Sequence, residues 1–334
     1  MTKNALIFAD GKLGVGLGHI SRCRALKSEL ESLGFVVELK DTQELEEEFK
    51  KLESQRALRQ ESKEKYCSFL WDLIVIDSYV LGVESYKSAT QFAKVCLFFD
   101  DTLRLNYPEA ILLNNARSAD LSEYKAKYPK HQLFLGNSYR LLQTPFVEVL
   151  ESPAIPLNLE IKKVLITLGG SDLLGLNAPL LVALRKAYPH LELHCIAKDS
   201  LEDLLDTPLR GLSKERGVSL HYGLSAREMV ALIRQMDLCI CACGQSLGEI
   251  LVCGIPAIAL EVAANQKTNL TSFASCILSI REAYLMTRDR ICQKVLEHLE
   301  SYASLTLRTT HQTRALEILR TPTKWKESIE AVFC

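Results

Sequence analysis

Apolar residues in this chain fall into short continuous runs, separated by stretches whose apolar positions recur at helical spacing. Ala5–Ala9, Phe35–Leu39, Leu73–Asp77 and Val95–Phe99 are runs of strand length. His19 to Leu33 carries Ile20, Leu26, Leu30 and Leu33 on one helical face, and Gly34 stands where a helix-ending glycine belongs. Residues 42–65 are rich in Glu, Lys, Gln and Arg and read as one or two solvated helices, with a charged binding surface as the other reading. Continuous apolar strands alternating with helices predict a parallel sheet covered on both faces.

The pattern then restarts. Residues 151–160 hold two prolines and read as a linker. Lys163–Leu168 is a new first strand, followed by Gly169 and Gly170. A helix is expected over Ala178–Ala187 and a strand over Leu191–Ala197. Ser225 is placed to cap a helix running to about Gln235, with Glu228 completing a capping box. Leu238–Ala242, Ser246–Val252 and Ile255–Leu260 read as strand, helix and strand. From Thr287 the pattern is helical, with Cys292, Val295, Leu296 and Leu299 on one side, and Ile329 and Val332 suit a last helix packed on either domain. The expected fold class is α/β, with two Rossmann-like domains facing across a cleft: residues 1–152, residues 161–285, then a helical tail over 286–334.

Composition narrows the picture slightly. The chain of 334 residues, 48% of them hydrophobic, is long enough for two cores. A formal net charge of −1 creates no field that favours nucleic acid or an anionic membrane, so neither is expected as a partner. No apolar stretch approaches a membrane span, and Ala5–Ala9 is too short for a signal-peptide core, so a cytoplasmic location is expected. The eleven cysteines include no CxxC pair. Cys239, Cys241 and Cys243 alternate onto one face of a strand and read as small buried apolar residues, since a lone CxCxC lacks a fourth metal ligand nearby. Neither a metal nor a cofactor is expected. Oligomeric state is not legible.

Ligands of open parallel sheets bind at the carboxyl ends of the strands, so the loops after strands carry the candidate chemistry. Gly14-Val-Gly16-Leu-Gly18-His19-Ile-Ser-Arg22 follows the first strand and opens a helix. It is neither the dinucleotide fingerprint, since His19 takes the place of the last glycine, nor a P-loop, since no GK[ST] follows. At a helix start positive charge is disfavoured, so His19 is expected as the neutral base that takes a proton from water; a helix-cap histidine without chemistry is the alternative. Gly169 and Gly170 let a diphosphate approach the backbone, unless they form an ordinary tight turn. Gln245 and Ser246 start a helix suited to an anion, and Glu249, one turn on, suits a ribose or else faces solvent. Asn265 and Gln266 carry amides for sugar or acyl groups, with an N-cap at Asn265 as the plain reading. Tyr79, just past a strand end, is structural or faces substrate.

Taken in order, Gly16–Arg22, Phe98–Asp101, Leu112–Asn115, Leu168–Asp172 and Ala264–Gln266 resemble the UDP-sugar hydrolase family of pseudaminic acid biosynthesis, a relative of the glycosyltransferase-B fold. The resemblance covers roughly residues 4–275. It implies hydrolysis of UDP-2,4-diacetamido-2,4,6-trideoxy-β-L-altropyranose to UDP and free sugar, without a metal and with inversion. It implies His19 as general base, Gly16, Gly18, Arg22, Tyr79, Gly169, Gly170, Asn265 and Gln266 around the sugar and phosphates, and Gln245, Ser246 and Glu249 around UDP. Segment 42–65 and the helical tail depart from the family pattern. A base without an obvious second carboxylate fits a reaction whose leaving group, UDP, needs no strong general acid. A glycosyltransferase with a UDP-sugar donor, or a non-catalytic nucleotide-sugar binding protein, would use the same fold.

Overall fold

The computed structural model describes residues 2–11, 18–61, 70–169, 172–197, 208–212 and 215–333. They form two compact α/β units, one built from the chain up to Leu141 together with the segment from Pro322, the other from Leu142 to Thr321.

In the first unit, β1 (Lys3–Ala9) leads to α1 (Gly18–Ser32), β2 (Phe35–Asp41), α2 (Leu45–Glu61), β3 (Trp71–Asp77), α3 (Val83–Ala89), β4 (Ala93–Phe99), β5 (Ile111–Asn114), α4 (Leu121–Lys127) and β6 (Gln132–Leu135). All strands are parallel, in the order β2-β1-β3-β4-β5-β6. Successive residues of β1 feed opposite faces: Ala5, Ile7 and Ala9 join the core with α1, whereas Leu6 and Phe8 join the core with α2 and α3. This two-sided burial is why the strands read as unbroken apolar runs. The charged segment from residue 45 is a single helix as far as Glu61, and Leu45, Phe49 and Leu52 bury one stripe of it against Phe8 and Phe92; residues 62–65 lie outside the described residues. α1 ends two residues before Gly34, whose φ of +86° suits glycine.

The second unit runs α5 (Thr144–Glu151), β7 (Lys163–Thr167), α6 (Asn177–Ala187), β8 (Glu192–Ile196), α7 (Pro208–Leu212), β9 (Val218–His221), α8 (Ala226–Ile233), β10 (Leu238–Ala242), α9 (Gln245–Val252), β11 (Ala257–Leu260), α10 (Lys267–Ser272), β12 (Leu278–Ile280), α11 (Arg288–Ser301) and α12 (Leu305–Leu319). Its parallel sheet has the order β12-β11-β10-β7-β8-β9. Both arms of the capping box on α8 are made: Ser225 accepts from the Glu228 N–H, and the Glu228 carboxylate accepts from the Ser225 N–H at 2.8 Å. Cys239, Cys241 and Cys243 face one core while Ile240 and Ala242 face the other. The cysteines among the described residues are all buried, and no disulfide joins them.

The segment between the units belongs to the second. Phe146 and Leu150 of α5 bury in its core. The buried Arg308 of α12 donates to the carbonyls of Asn158 and Leu159, and Gln312 donates to those of Ile155 and Gly254. The linker carbonyls are thus bound by side chains from a helix 150 residues further along. After α12 the chain returns to the first unit, where α13 (Trp325–Phe333) buries Trp325 and Ile329 against Phe134 and α1. Among the described residues no helix is long and apolar enough to cross a membrane.

Candidate active site

In each sheet the strand order reverses at one place, where the connections leave in opposite directions and open a crevice at the strand ends. In the first sheet it lies between β1 and β3, in the second between β7 and β10. Most of the candidate residues lie at these two places.

At the first, Ala9 and Asp77 are register partners at the carboxyl ends of β1 and β3. The chain leaves β1 and re-enters the site through α1, which places His19 in the first helical turn. His19 Nδ1 then lies 2.6 Å from Asp77 Oδ1, although the two residues are 58 positions apart. A carboxylate only accepts, so a proton is assigned to Nδ1, and the lone pair of the neutral ring is then on Nε2. Asp77 is fully buried. Arg22, one turn along α1, donates Nε to Asp77 Oδ2 and Nη2 to Asp77 Oδ1, each at 2.5 Å, and Nη1 to Asp101 Oδ2 at 2.8 Å. Its Nη2 also lies 3.4 Å from His19 Nδ1, where donor faces donor once Nδ1 carries a proton. Tyr79 donates its hydroxyl to the same Asp101 oxygen and sets its ring edge-on to His19, 4.5 Å between centroids. The Arg22 guanidinium lies over the Phe99 ring at 4.5 Å.

The charges of this cluster compensate one another. Burial by itself would raise the Asp77 carboxyl, but the charge and fork of Arg22, with the His19 hydrogen bond, outweigh it and hold it down at about 2. Burial opposes the Arg22 charge, and Asp101 and Asp77 more than restore it, raising the guanidinium above its ordinary value. Burial and the Asp101 charge push the Tyr79 phenol up, so it stays protonated and donates.

The expectation of a base with no second carboxylate is corrected here, since Asp77 and Asp101 both belong to the cluster. Asp77 was legible as an acid closing an otherwise apolar buried strand, and Asp101 as the end of Phe98–Asp101. Their pairing with His19 and Arg22 depends on strand order, which the sequence does not display. Gly16 lies outside the described residues, and Gly18 opens α1.

At the second place, Gly169 follows β7 with a φ of +80°; Gly170 lies outside the described residues. At the start of α6, Asp172 accepts from the Leu176 and Asn177 N–H groups at 2.8 and 3.0 Å. At the start of α9, Gly244 is the N-cap and has no side chain to cap it, and Gln245 and Ser246 are the first residues. Glu249, one turn in, is buried. Asn265 is exposed in a single 3-10 turn, Ala264–Gln266, with Ala263 rather than Asn265 at its N-cap. Gln266 Oε1 accepts from the Val262 N–H at 3.1 Å, which fixes the turn after β11, and its Nε2 stands where a side chain at Gly244 would meet it.

Two parallel six-stranded sheets with this topology define an α/β protein of the glycosyltransferase-B fold, the fold of UGT89C1 of Arabidopsis thaliana solved in complex with UDP. That likeness has a TM-score of 0.59 over 99% of both chains at 13% identity, and so concerns the fold alone. In sequence, the chain is 25% identical over 276 residues to the pseudaminic acid cytidylyltransferase and UDP-2,4-diacetamido-2,4,6-trideoxy-β-L-altropyranose hydrolase of Helicobacter pylori, covering 80% of this chain and 46% of that protein. It is 25% identical over 266 residues to an uncharacterized protein of Methanocaldococcus jannaschii, covering 76% and 54%. The chain therefore spans about half the length of the curated relatives it matches. No family model matches it.

Proposed function

We propose that the protein hydrolyses a UDP-sugar at the anomeric carbon, releasing UDP and the free sugar with inversion, and that the sugar is 2,4-diacetamido-2,4,6-trideoxy-β-L-altropyranose. The observation that carries the reaction type is the His19–Asp77 pair, which leaves a lone pair on Nε2 at the carboxyl end of a parallel sheet. The substrate rests on the likeness to the Helicobacter pylori protein.

Water held by Nε2 attacks the anomeric carbon while its proton passes to Nε2. The bond from that carbon to the β-phosphate oxygen breaks, and its electron pair leaves with UDP. Asp77 holds the imidazole in the required tautomer and stabilises the imidazolium that forms. In the second unit, the start of α9 with Gln245 and Ser246 receives the diphosphate, and the backbone at Gly169 lies close beside it. Glu249 accepts the ribose hydroxyls. Tyr79 and Asn265 contact the sugar, and Gln266 keeps its turn in place. The location expected for such an enzyme is cytoplasmic.

The same parts serve a glycosyltransferase if a hydroxyl replaces water. UDP release from purified protein, measured with UDP-2,4-diacetamido-trideoxy-altrose beside UDP-N-acetylglucosamine, in chelator and without acceptor, separates the readings. Rapid release from the altrose compound alone establishes the hydrolase. Tight UDP binding without release rejects it in favour of a transferase or a binding protein.

A further inference from the structure

Arg22 presents every guanidinium nitrogen to a carboxylate of the protein: Nε and Nη2 to Asp77, Nη1 to Asp101. A side chain so engaged is poorly placed to serve as a phosphate clamp. Its fork grips both oxygens of the carboxylate that holds His19, and competes with the imidazole for that negative charge. Asp101 in turn competes with Asp77 for the guanidinium, and the Oδ2 atom that accepts from Arg22 also takes the Tyr79 hydroxyl.

We propose that Arg22 and Asp101 are positioning residues that set the basicity of His19 with opposite signs, Arg22 lowering it by sharing Asp77 and Asp101 raising it by drawing Arg22 away. The assignment rests on the reading of His19 as the base. Among the described residues, the titratable and charged groups around its ring are Arg22 and Cys23 from α1, Asp77 at the end of β3, Tyr79 just beyond it and Asp101 after β4. Asp10, at the end of β1, is engaged by the Thr42 hydroxyl and the Tyr79 N–H. Cys23 is a buried thiol whose ionisation is pushed well up by burial and by Asp77, so it stays neutral. Arg22 and Asp101 are therefore the two groups whose charge a substitution removes while keeping both partners of the His19–Asp77 bond.

The test follows His19 itself by ¹H–¹⁵N correlation in ¹⁵N-histidine-labelled full-length protein, with His19→Asn to assign the signal, and in parallel the acid limb of kcat/KM for UDP release. Arg22→Gln should move the His19 titration and the acid limb upward by about one to three pH units, and Arg22→Lys, which keeps the charge and loses the fork, by less. Asp101→Asn should move both downward. A merely structural role lowers kcat at every pH and leaves the limb in place. An unmoved titration in Arg22→Gln, or an upward or absent shift in Asp101→Asn, overturns the proposal; Asp101→Asn decides it alone if Arg22→Gln does not fold. If no UDP-sugar is turned over, the spectroscopic arm still reads the His19 titration in each variant, so failure of the hydrolase reading is distinguishable from failure of this one.

Discussion

Each strand-order reversal lies beside the first strand of its unit, yet the two are furnished in opposite ways. Between β1 and β3 lie a histidine, two carboxylates, a guanidinium and a phenol, tied together by short hydrogen bonds. Between β7 and β10 lie a glycine at positive φ, a helix start with no side-chain cap and a buried glutamate one turn beyond. On the proposed reading the first place holds and moves a proton, since side chains drawn from two strand ends and one helix converge on the His19 ring. On the same reading the second receives a negative group, at a helix start whose N-cap, Gly244, has no side chain. One architecture thus presents two kinds of strand end, one lined by interacting side chains and one by glycine and a helix start.

The sharpest way to break this comparison is to remove the proposed base. His19→Asn should lower the turnover rate by about 10²–10⁴-fold while leaving UDP affinity unchanged, as measured by single-turnover release and by calorimetry. Full activity would remove the first place from the chemistry. Next in size is the buried carboxylate. Asp77→Ala leaves the Arg22 charge half-compensated and should cost about 3–5 kcal/mol of stability in denaturant unfolding.

The same carboxylate makes stability depend on acidity. Its folded value of about 2 lies below its ordinary 3.8, so its contribution is complete above 3.8 and is lost as pH falls from 3.8 through about 2. That window is worth about 2 kcal/mol, and Asp77→Asn should flatten it in unfolding curves taken at pH 5 and pH 2.5. Glu249→Gln tests the other region: UDP should bind about ten- to a hundredfold more weakly, with the rate at saturation unchanged. A fall in that rate would show that the division between the regions is false. Ser225→Ala, remote from both in sequence and in role, should cost only about 1 kcal/mol of stability through the lost cap and leave binding and turnover alone.

Local chemistry was legible where it depends on neighbours in sequence. The apolar runs of β1, β3, β4, β7 and β10 announced buried parallel strands, Gly34 marked the end of α1, and the Ser225–Glu228 pair marked the start of α8. Asp172 closes the motif Leu168–Asp172 in sequence, whereas in the fold its carboxylate accepts from the Leu176 and Asn177 N–H groups at the start of α6. The charged stretch after Thr42 hid a buried stripe, since Leu45, Phe49 and Leu52 are few among many polar neighbours. Leu159 and its neighbours read as a linker because nothing local showed that Arg308 and Gln312 would bind their carbonyls.

By itself, then, the sequence determined the kind and order of the elements, and where glycine and polar residues interrupt them, because the periods of strand and helix are written in adjacent positions. It also placed His19 at a helix start after a first strand. Tertiary structure alone decided that β1 lies beside β3, that Ala9 stands opposite Asp77, and that His19 therefore meets a carboxylate 58 residues away. It decided as well that the last helix returns to the first unit, where Trp325 fills a gap beside Phe134. Such meetings depend on which strand ends are neighbours and which cavity a side chain completes, and these are properties of the folded chain rather than of any window along it.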